Sequence, residues 1–187
     1  MKICRQSNMR GLTLVEAMIV LAILSIISTV GIPSFIKMIT HARVTSDLNE
    51  INSLMRFARF KAIDEERLVV LCPAADYQQC GSDWNVPKIV FFDLNYNDYR
   101  DPDEAILISS EAVEKTLRMS SNRRMIKFYE SGVTASPASI KICTDEGDLE
   151  FTRQLTLSLQ GKIKLSKDRN RDGIHEGSSG AALNCSV

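Results

Sequence analysis

Gly11-Leu12-Thr13-Leu14-Val15-Glu16 opens onto twenty uncharged residues, Ala17 to Ile36, most of them Ile, Leu, Val, Ala or Met. Twenty helical residues rise about 30 Å, the thickness of the hydrocarbon core of a bilayer. Upstream, Met1 to Gly11 holds Lys2, Arg5 and Arg10 and no acid, a bias that keeps the basic end in the cytoplasm and exports the remainder of the chain. A cleavable secretory signal begins the same way, but its small-residue cleavage site lies beyond the apolar region. Here a carboxylate, Glu16, stands at the head of the apolar run. At the centre of a membrane helix such a group costs about 2.5 to 3.5 kcal/mol, which asks for a specific partner; the plainer alternative is that Glu16 snorkels to the interface.

Beyond the apolar run, Pro33 removes an intrahelical hydrogen bond and predicts a kink or loosening. The pattern then turns amphipathic. Val44, Leu48, Ile51, Met55, Ala58 and Ala62 recur at steps of three and four, while Arg43, Asp47, Arg56, Arg59 and Lys61 fall largely off that stripe. The spacing predicts a helix that continues past the membrane and docks one face on its own globular head, over a length of roughly 75 Å from Leu12 to about Ala62. Asp64-Glu65-Glu66 lies near its end, where acids are unfavourable company for the helix dipole.

From Leu68 onward the sequence breaks into short β-like runs: Leu68–Cys72, Lys88–Leu94, Ala105–Ser109, Met125–Tyr129, Ser139–Cys143, Gln154–Leu159 and Lys162–Leu165. Leu155, Leu157 and Leu159 alternate with Thr156 and Ser158, as a half-buried antiparallel strand requires. Gly161 supplies a tight turn into the alternating Lys162-Ile163-Lys164-Leu165. The fold class is α+β, with a long N-terminal helix packed on an antiparallel sheet.

Four of the five cysteines, Cys72, Cys80, Cys143 and Cys185, fall in this exported portion, and Cys4 precedes the apolar run. An even count in an oxidising compartment predicts two disulfides, with three connectivities open. The favoured pairing is Cys72 with Cys80 and Cys143 with Cys185, for which loop entropy gives about 2.6 and about 4.0 kcal/mol. Zinc is disfavoured, since the spacings lack paired short knuckles and the chain has only two histidines, His41 and His175.

The chain has 187 residues, 23 basic and 23 acidic side chains, and 44% apolar content. A large multidomain enzyme, a globally basic nucleic-acid binder and wholesale disorder are excluded on those grounds. There is no Walker loop, H-E-x-x-H or G-x-S-x-G, and no triad suggests itself around His41 and His175, so the chain is read as a non-enzyme.

The run Gly11-Leu12-Thr13-Leu14-Val15-Glu16 with its uncharged continuation resembles the prepilin signature of type IV pilins and type II secretion pseudopilins. Leu12 stands in place of the usual phenylalanine and Val15 in place of isoleucine or leucine. The resemblance implies that a prepilin peptidase cuts after Gly11 and methylates the new amino group of Leu12, and that Glu16 acts in assembly. The Glu16 carboxylate and the Leu12 ammonium of a neighbouring subunit can neutralise each other where water is scarce, favouring one axial register. Further on, Leu71-Cys72-Pro73, Cys80-Gly81, Asp83-Trp84, Phe91-Phe92-Asp93, Asn95, Arg100-Asp101 and Glu104 resemble the head of the GspH/FimT/FimU branch of minor pilins and pseudopilins. That resemblance implies a pilin-like fold in a low-abundance subunit that initiates or caps a pilus or secretion pseudopilus. It also implies partners among other pilins or pseudopilins and the assembly machinery, and in some FimT proteins DNA is bound during natural transformation. The domain organisation expected is a leader at 1–11, a transmembrane segment at 12–36, an amphipathic continuation at 37–66 and a periplasmic β-rich head at 67–187. The chain would sit in the inner membrane as a single-pass protein before entering a pilus.

Two loops and one hairpin carry charge worth locating. Asp93, Asn95, Asn97, Tyr99, Asp101 and Glu104 fall on positions 1, 3, 5, 7, 9 and 12 of a calcium loop, although Asp98 stands where the sharp turn wants glycine. Asp168, Asn170, Asp172, Gly173 and Glu176 fit the first half of such a loop, with Ser179 at the terminal position. The alternative for both is an Asx-rich surface turn, and no cofactor is expected apart from this candidate calcium. Lys162 and Lys164, followed by Lys167, Arg169 and Arg171, place cations on a strand and then a loop, an arrangement able to grip the phosphates of DNA without reading sequence. It resembles the glycine-Arg-x-Arg element of DNA-binding FimT proteins, with lysines at both arginine positions and hence without the bidentate fork. An ordinary solvated hairpin face is the alternative. Cleavage after Gly11 would remove 3 of the 23 basic residues, so the mature chain would be net acidic.

Overall fold

The computed structural model describes residues 11–185, and residues 1–10 of the expected leader, with Lys2, Cys4, Arg5 and Arg10, lie outside them. The chain divides between Thr40 and His41 into two compact units. The first is helical. Helix α1 (Leu14–Ile26) is followed by a π-helical turn at Ile27–Gly31 and then by the start of α2 (Ile32–Asp64). No residue of α1 is buried, although nearly all of its side chains are apolar. Pro33 does not break the helix. The wide turn just before it lies where an absent amide must be accommodated, the usual setting of a π segment. The hydroxyls along this apolar stretch bond its own backbone: Ser25 Oγ donates to Ala22 O, Ser28 Oγ to Leu24 O and Thr29 Oγ1 to Ser25 O, at 2.7–2.9 Å. None of the three leaves an unmet donor on this exposed apolar helix.

The second unit begins in the middle of α2 and contains eight strands: β1 (Val69–Pro73), β2 (Lys88–Phe92), β3 (Ile106–Ser109), β4 (Leu117–Ser121), β5 (Ile126–Phe128), β6 (Ala138–Thr144), β7 (Arg153–Leu157) and β8 (Ile163–Leu165). They form two four-stranded antiparallel sheets, β3-β2-β1-β5 and β4-β6-β7-β8. The α2 stripe of Val44, Leu48, Ile51, Met55, Ala58 and Ala62, joined by Leu54, is buried against both sheets. Removing each large side chain of that stripe from water contributes about 1.5–3 kcal/mol. Val69, Leu71 and Val90 face this core, while Val70, Cys72, Ile89 and Phe91 face a second one with Leu68 and Ala74. With both faces covered, β1 reads as a continuous apolar run rather than an alternating one.

The sequence pattern misses β4. Leu117 and Met119 point inward and Arg118 outward, but only two apolar residues mark the strand. Its place is fixed from outside by pairing with β6 and by the Met119 N–H donating to Asn85 Oδ1 at 2.7 Å. The end of α2 also has its reason. Arg67 N–H donates to Ala62 O across Glu66, which has φ +51°, a Schellman stop without glycine. Lys61 in the last turn pairs with Asp64 and Glu65 at 3.2 and 3.1 Å. These hydrogen bonds raise the Lys61 amine above its ordinary range, Glu65 contributing most, and they offset the acids that the dipole disfavours.

Candidate functional site

At the N-terminal end of the described residues, Gly11 and Leu12 are exposed and precede the helix. Thr13 caps it. Its Oγ1 accepts the Glu16 N–H at 3.2 Å and its carbonyl accepts the Ala17 N–H at 3.1 Å. Glu16 is the one acid of the first turn, where the partial positive charge of the helix end favours a carboxylate. From Ala17 to Ile36 every residue is uncharged, and the helix is long and apolar enough to cross a membrane. The cap thus places Gly11 and Leu12, the Glu16 carboxylate and the start of the apolar helix within one short segment.

In the head, Cys72 is bonded to Cys80 and Cys143 to Cys185. The first bond folds the loop after β1 back over the second core. The second ties the C-terminal segment to β6, and Thr152 Oγ1 lies 2.9 Å from Cys185 Sγ.

The acidic loop after β2 is closed by its own side chains. Asp93, 1% exposed, accepts the N–H groups of Asn97 and Asp98, and Glu104, 2% exposed, accepts those of Leu94 and Asp101. Asp101 Oδ2 receives both the Asn95 and the Asn97 amide, and Asp98 pairs with Lys127. Asp98 occupies the sharp turn with φ +67°, a conformation Asp tolerates better than most residues. The second loop repeats the scheme: Asp168 accepts from Arg171 and Gly173, and Glu176 from Arg169. Asp172 is held below the usual carboxylate range, chiefly by the Ile174 N–H and then by Asn170. Among the described residues no three acidic, histidine or cysteine side chains converge as a metal site would require. The candidate calcium ligands Asp93 and Glu104 each accept two backbone N–H groups, the bonding of an Asx-rich turn.

The five cations expected to act together do not line one concavity. Lys164, Lys167 and Arg169 line one concavity of about 490 Å³, whose floor includes Glu176. Lys162 lines a different cleft, of about 560 Å³, with Arg56, Arg59, Phe60, Ile63 and Ile163; Arg171 lines neither. The periodic stripe of α2 does not reveal that second cleft, although the signal exists: Phe60 and Ile63 are apolar yet lie off the buried face, 59% and 48% exposed. Arg59 forms its wall, with Nε donating to Gly132 O at 2.9 Å and Nη2 to Gln160 O at 3.2 Å.

Comparison with known proteins agrees with this architecture. A family model described as type II transport protein GspH matches residues 47–161, and one described as the prokaryotic N-terminal methylation motif matches residues 6–32. No curated protein sequence matches. Among solved structures, two crystal forms of the Pseudomonas aeruginosa type IV minor pilin FimU superpose with TM-scores of 0.53 and 0.51 at 19% and 20% identity. They cover 66% of this chain and 88% and 92% of theirs. The minor pseudopilin EpsH of the Vibrio cholerae type 2 secretion system covers 66% of this chain and 95% of its own, with a TM-score of 0.48 at 8% identity.

Proposed function

The chain belongs to the GspH family of type II transport proteins, and from that premise we propose that it is a minor type IV pilin, cleaved after Gly11, methylated at Leu12 and built into a pilus through its N-terminal helix. It is a structural subunit and not an enzyme. The observation that carries the proposal is the N-terminal segment: a Thr13-capped helix with Glu16 in its first turn and no buried residue in α1, inside the span of the methylation motif. In the proposed assembly the prepilin peptidase removes the leader, residues 12–36 anchor the chain in the inner membrane and the head stands in the periplasm until incorporation. Glu16 then meets the Leu12 ammonium of a neighbour, each cancelling a charge that lipid would penalise. The subunit supports pilus initiation or assembly, and through it twitching motility or DNA uptake. Intact-mass analysis tests this: the membrane-extracted wild type should lack Met1–Gly11 and carry one methyl, whereas a Gly11→Trp chain should keep its leader and stay out of sheared filaments. Incorporation of the uncleaved chain would overturn the proposal. Loss of surface pili in a deletion strain supports the pilus reading, while loss of exoprotein secretion with pili intact assigns the chain to a type II secretion pseudopilus instead.

A second reading, DNA contact by the head, is favoured by the concavity that gathers Lys164, Lys167 and Arg169. Such contacts are sequence-independent and weaken steeply with salt. A gel shift with duplex DNA, strong at low salt and lost on replacing Lys164, Lys167 and Arg169 by alanine, is the expected result; a shift unchanged by those replacements removes the reading.

A further inference from the structure

The cleft between α2 and the turn before β8 has an apolar floor of Phe60, Ile63 and Ile163, and its cations are Arg56, Arg59 and Lys162. No carboxylate lines it. Elsewhere on the head cations meet acids: Lys61 pairs with Asp64 and Glu65, Arg118 with Asp145 and Lys127 with Asp98. Among the described residues Arg56, Arg59 and Lys162 have no such pairing. The walls are fixed before anything binds. Arg59 is tied to Gly132 O and Gln160 O, and a Cβ on Gly132 would fall 2.7 Å from Ile63 Cδ1, so Ile63 lies directly on that turn. Large apolar side chains exposed inside a polar rim mark docking sites, and arginine beside aromatic residues is the composition of interface centres.

We propose that this cleft receives an apolar side chain flanked by carboxylates, presented by a different subunit of the filament. Charge complementarity selects the carboxylates. Arg56 comes from α2 and Lys162 from the turn before β8, both exposed, and a basic or neutral segment would leave them opposed or unmatched. The apolar floor selects a protein. A phosphate backbone would satisfy the cations but leave Phe60, Ile63 and Ile163 uncovered, whereas an apolar side chain between acids meets both parts. A second copy of this chain is the poorer occupant. Around Tyr96, the most exposed large apolar side chain of the head, Asp93 and Glu104 are buried on backbone donors and Asp98 is taken by Lys127. Arg67 also stands beside Leu94 and Tyr96, so that surface brings little free negative charge. Because Arg59 and Ile63 are already held in place, docking orders few side chains and its entropic cost is lowered. This inference rests on the filament-subunit reading and adds to it the surface by which a neighbour holds the head.

The test places photoreactive p-benzoylphenylalanine at Phe60 of the full chain, in cells that assemble the filament, and sequences the cross-linked peptides of the sheared and membrane fractions. The expected conjugate joins a different subunit, through a segment in which carboxylates flank an apolar side chain. It should fall at least about five-fold in Arg56→Glu/Lys162→Glu and return when the partner's carboxylates are replaced by lysine. An unchanged thermal midpoint of the purified double variant shows that it is folded. The same probe at Glu111, which is exposed and outside the cleft, should not form this conjugate. Absence of a conjugate from processed, incorporated chain overturns the inference alone. So does a conjugate with a second copy, with DNA or lipid, or with a segment lacking acids, and so does one indifferent to the double reversal or formed equally from Glu111. A chain that intact mass shows to be uncleaved and that stays out of filaments overturns the filament reading, and this inference with it.

Discussion

A Cβ added to Gly161 would lie 2.2 Å from the carbonyl oxygen of Gly132, so the turn before β8 and the turn after β5 meet backbone to backbone. Gly161 also has φ +72° and sits 2.7 Å, by the same construction, from Arg59 Nε. Arg59 needs that carbonyl, because its guanidinium joins α2 to both turns.

Gly161→Ala is therefore expected to destabilise the head by more than ~2 kcal/mol, through a disfavoured dihedral and a contact no rotamer relieves. Arg59→Ala should lose less, about 1–2 kcal/mol for two partly exposed hydrogen bonds. Thermal melts of the two variants check the order; an Arg59→Ala loss exceeding that of Gly161→Ala would contradict this account.

The Cys143–Cys185 bond closes a separation of 42 residues. Replacing both by serine should lower stability by up to about 4 kcal/mol on the loop-entropy account. It should also open the segment after β8 to proteolysis well before β1 and β2 are cut. Limited digestion followed by mass mapping reads this directly, and equal protection of that segment in both forms would refute it.

His175 bonds Ser166 through Nδ1. Burial, and then the charge of Arg153, hold its imidazole below the ordinary value of 6.5. The unfolded chain thus takes up a proton before the folded one does. Stability from this group is complete above the ordinary imidazole range and is lost as pH falls through it toward the depressed value. The thermal midpoint should drop between pH 7.5 and 5 in the wild type, and by less in His175→Gln, the difference tracing to this one titration. An identical pH dependence in both would exclude His175.

Glu16→Ala should be cleaved and methylated normally, since Gly11, Leu12 and Thr13 are untouched, yet enter filaments poorly. Comparing intact mass with the sheared fraction separates the two steps. Glu16→Ala assembling at the wild-type level would show that the carboxylate has no partner and merely snorkels.

Much of this architecture was legible because its causes are local. The period of the Val44 to Ala62 stripe, the charge gap from Ala17 to Ile36 and the alternation at Leu155 and Leu157 each state their environment in a few residues. Other features depend on distant partners. β4 exists because β6 and Asn85 hold Leu117–Ser121, and the division into two sheets follows from pairings between strands distant in sequence, β1 with β5 in one and β4 with β6 in the other. The calcium-like spacing was legible, but spacing lists oxygens without saying which backbone amides they also serve, as Asp93 and Glu104 do. The cations from Lys162 to Arg171 are neighbours in sequence, but the turn at Gly161 sends Lys162 toward α2 and leaves Lys164 beside Lys167.

The π turn at Ile27–Gly31 has a rotational consequence. One residue of an α-helix turns the chain by about 100°, and a π turn accommodates an extra one. The azimuth of Glu16 relative to Ile32 through Thr40 is therefore keyed at these five residues, like the offset of a crankshaft. Deleting one of these five would let a regular α turn take over and leave that azimuth nearly unchanged, whereas deleting one residue from the α-helical part of the span would swing the carboxylate about a quarter turn away from the neighbour it is proposed to meet.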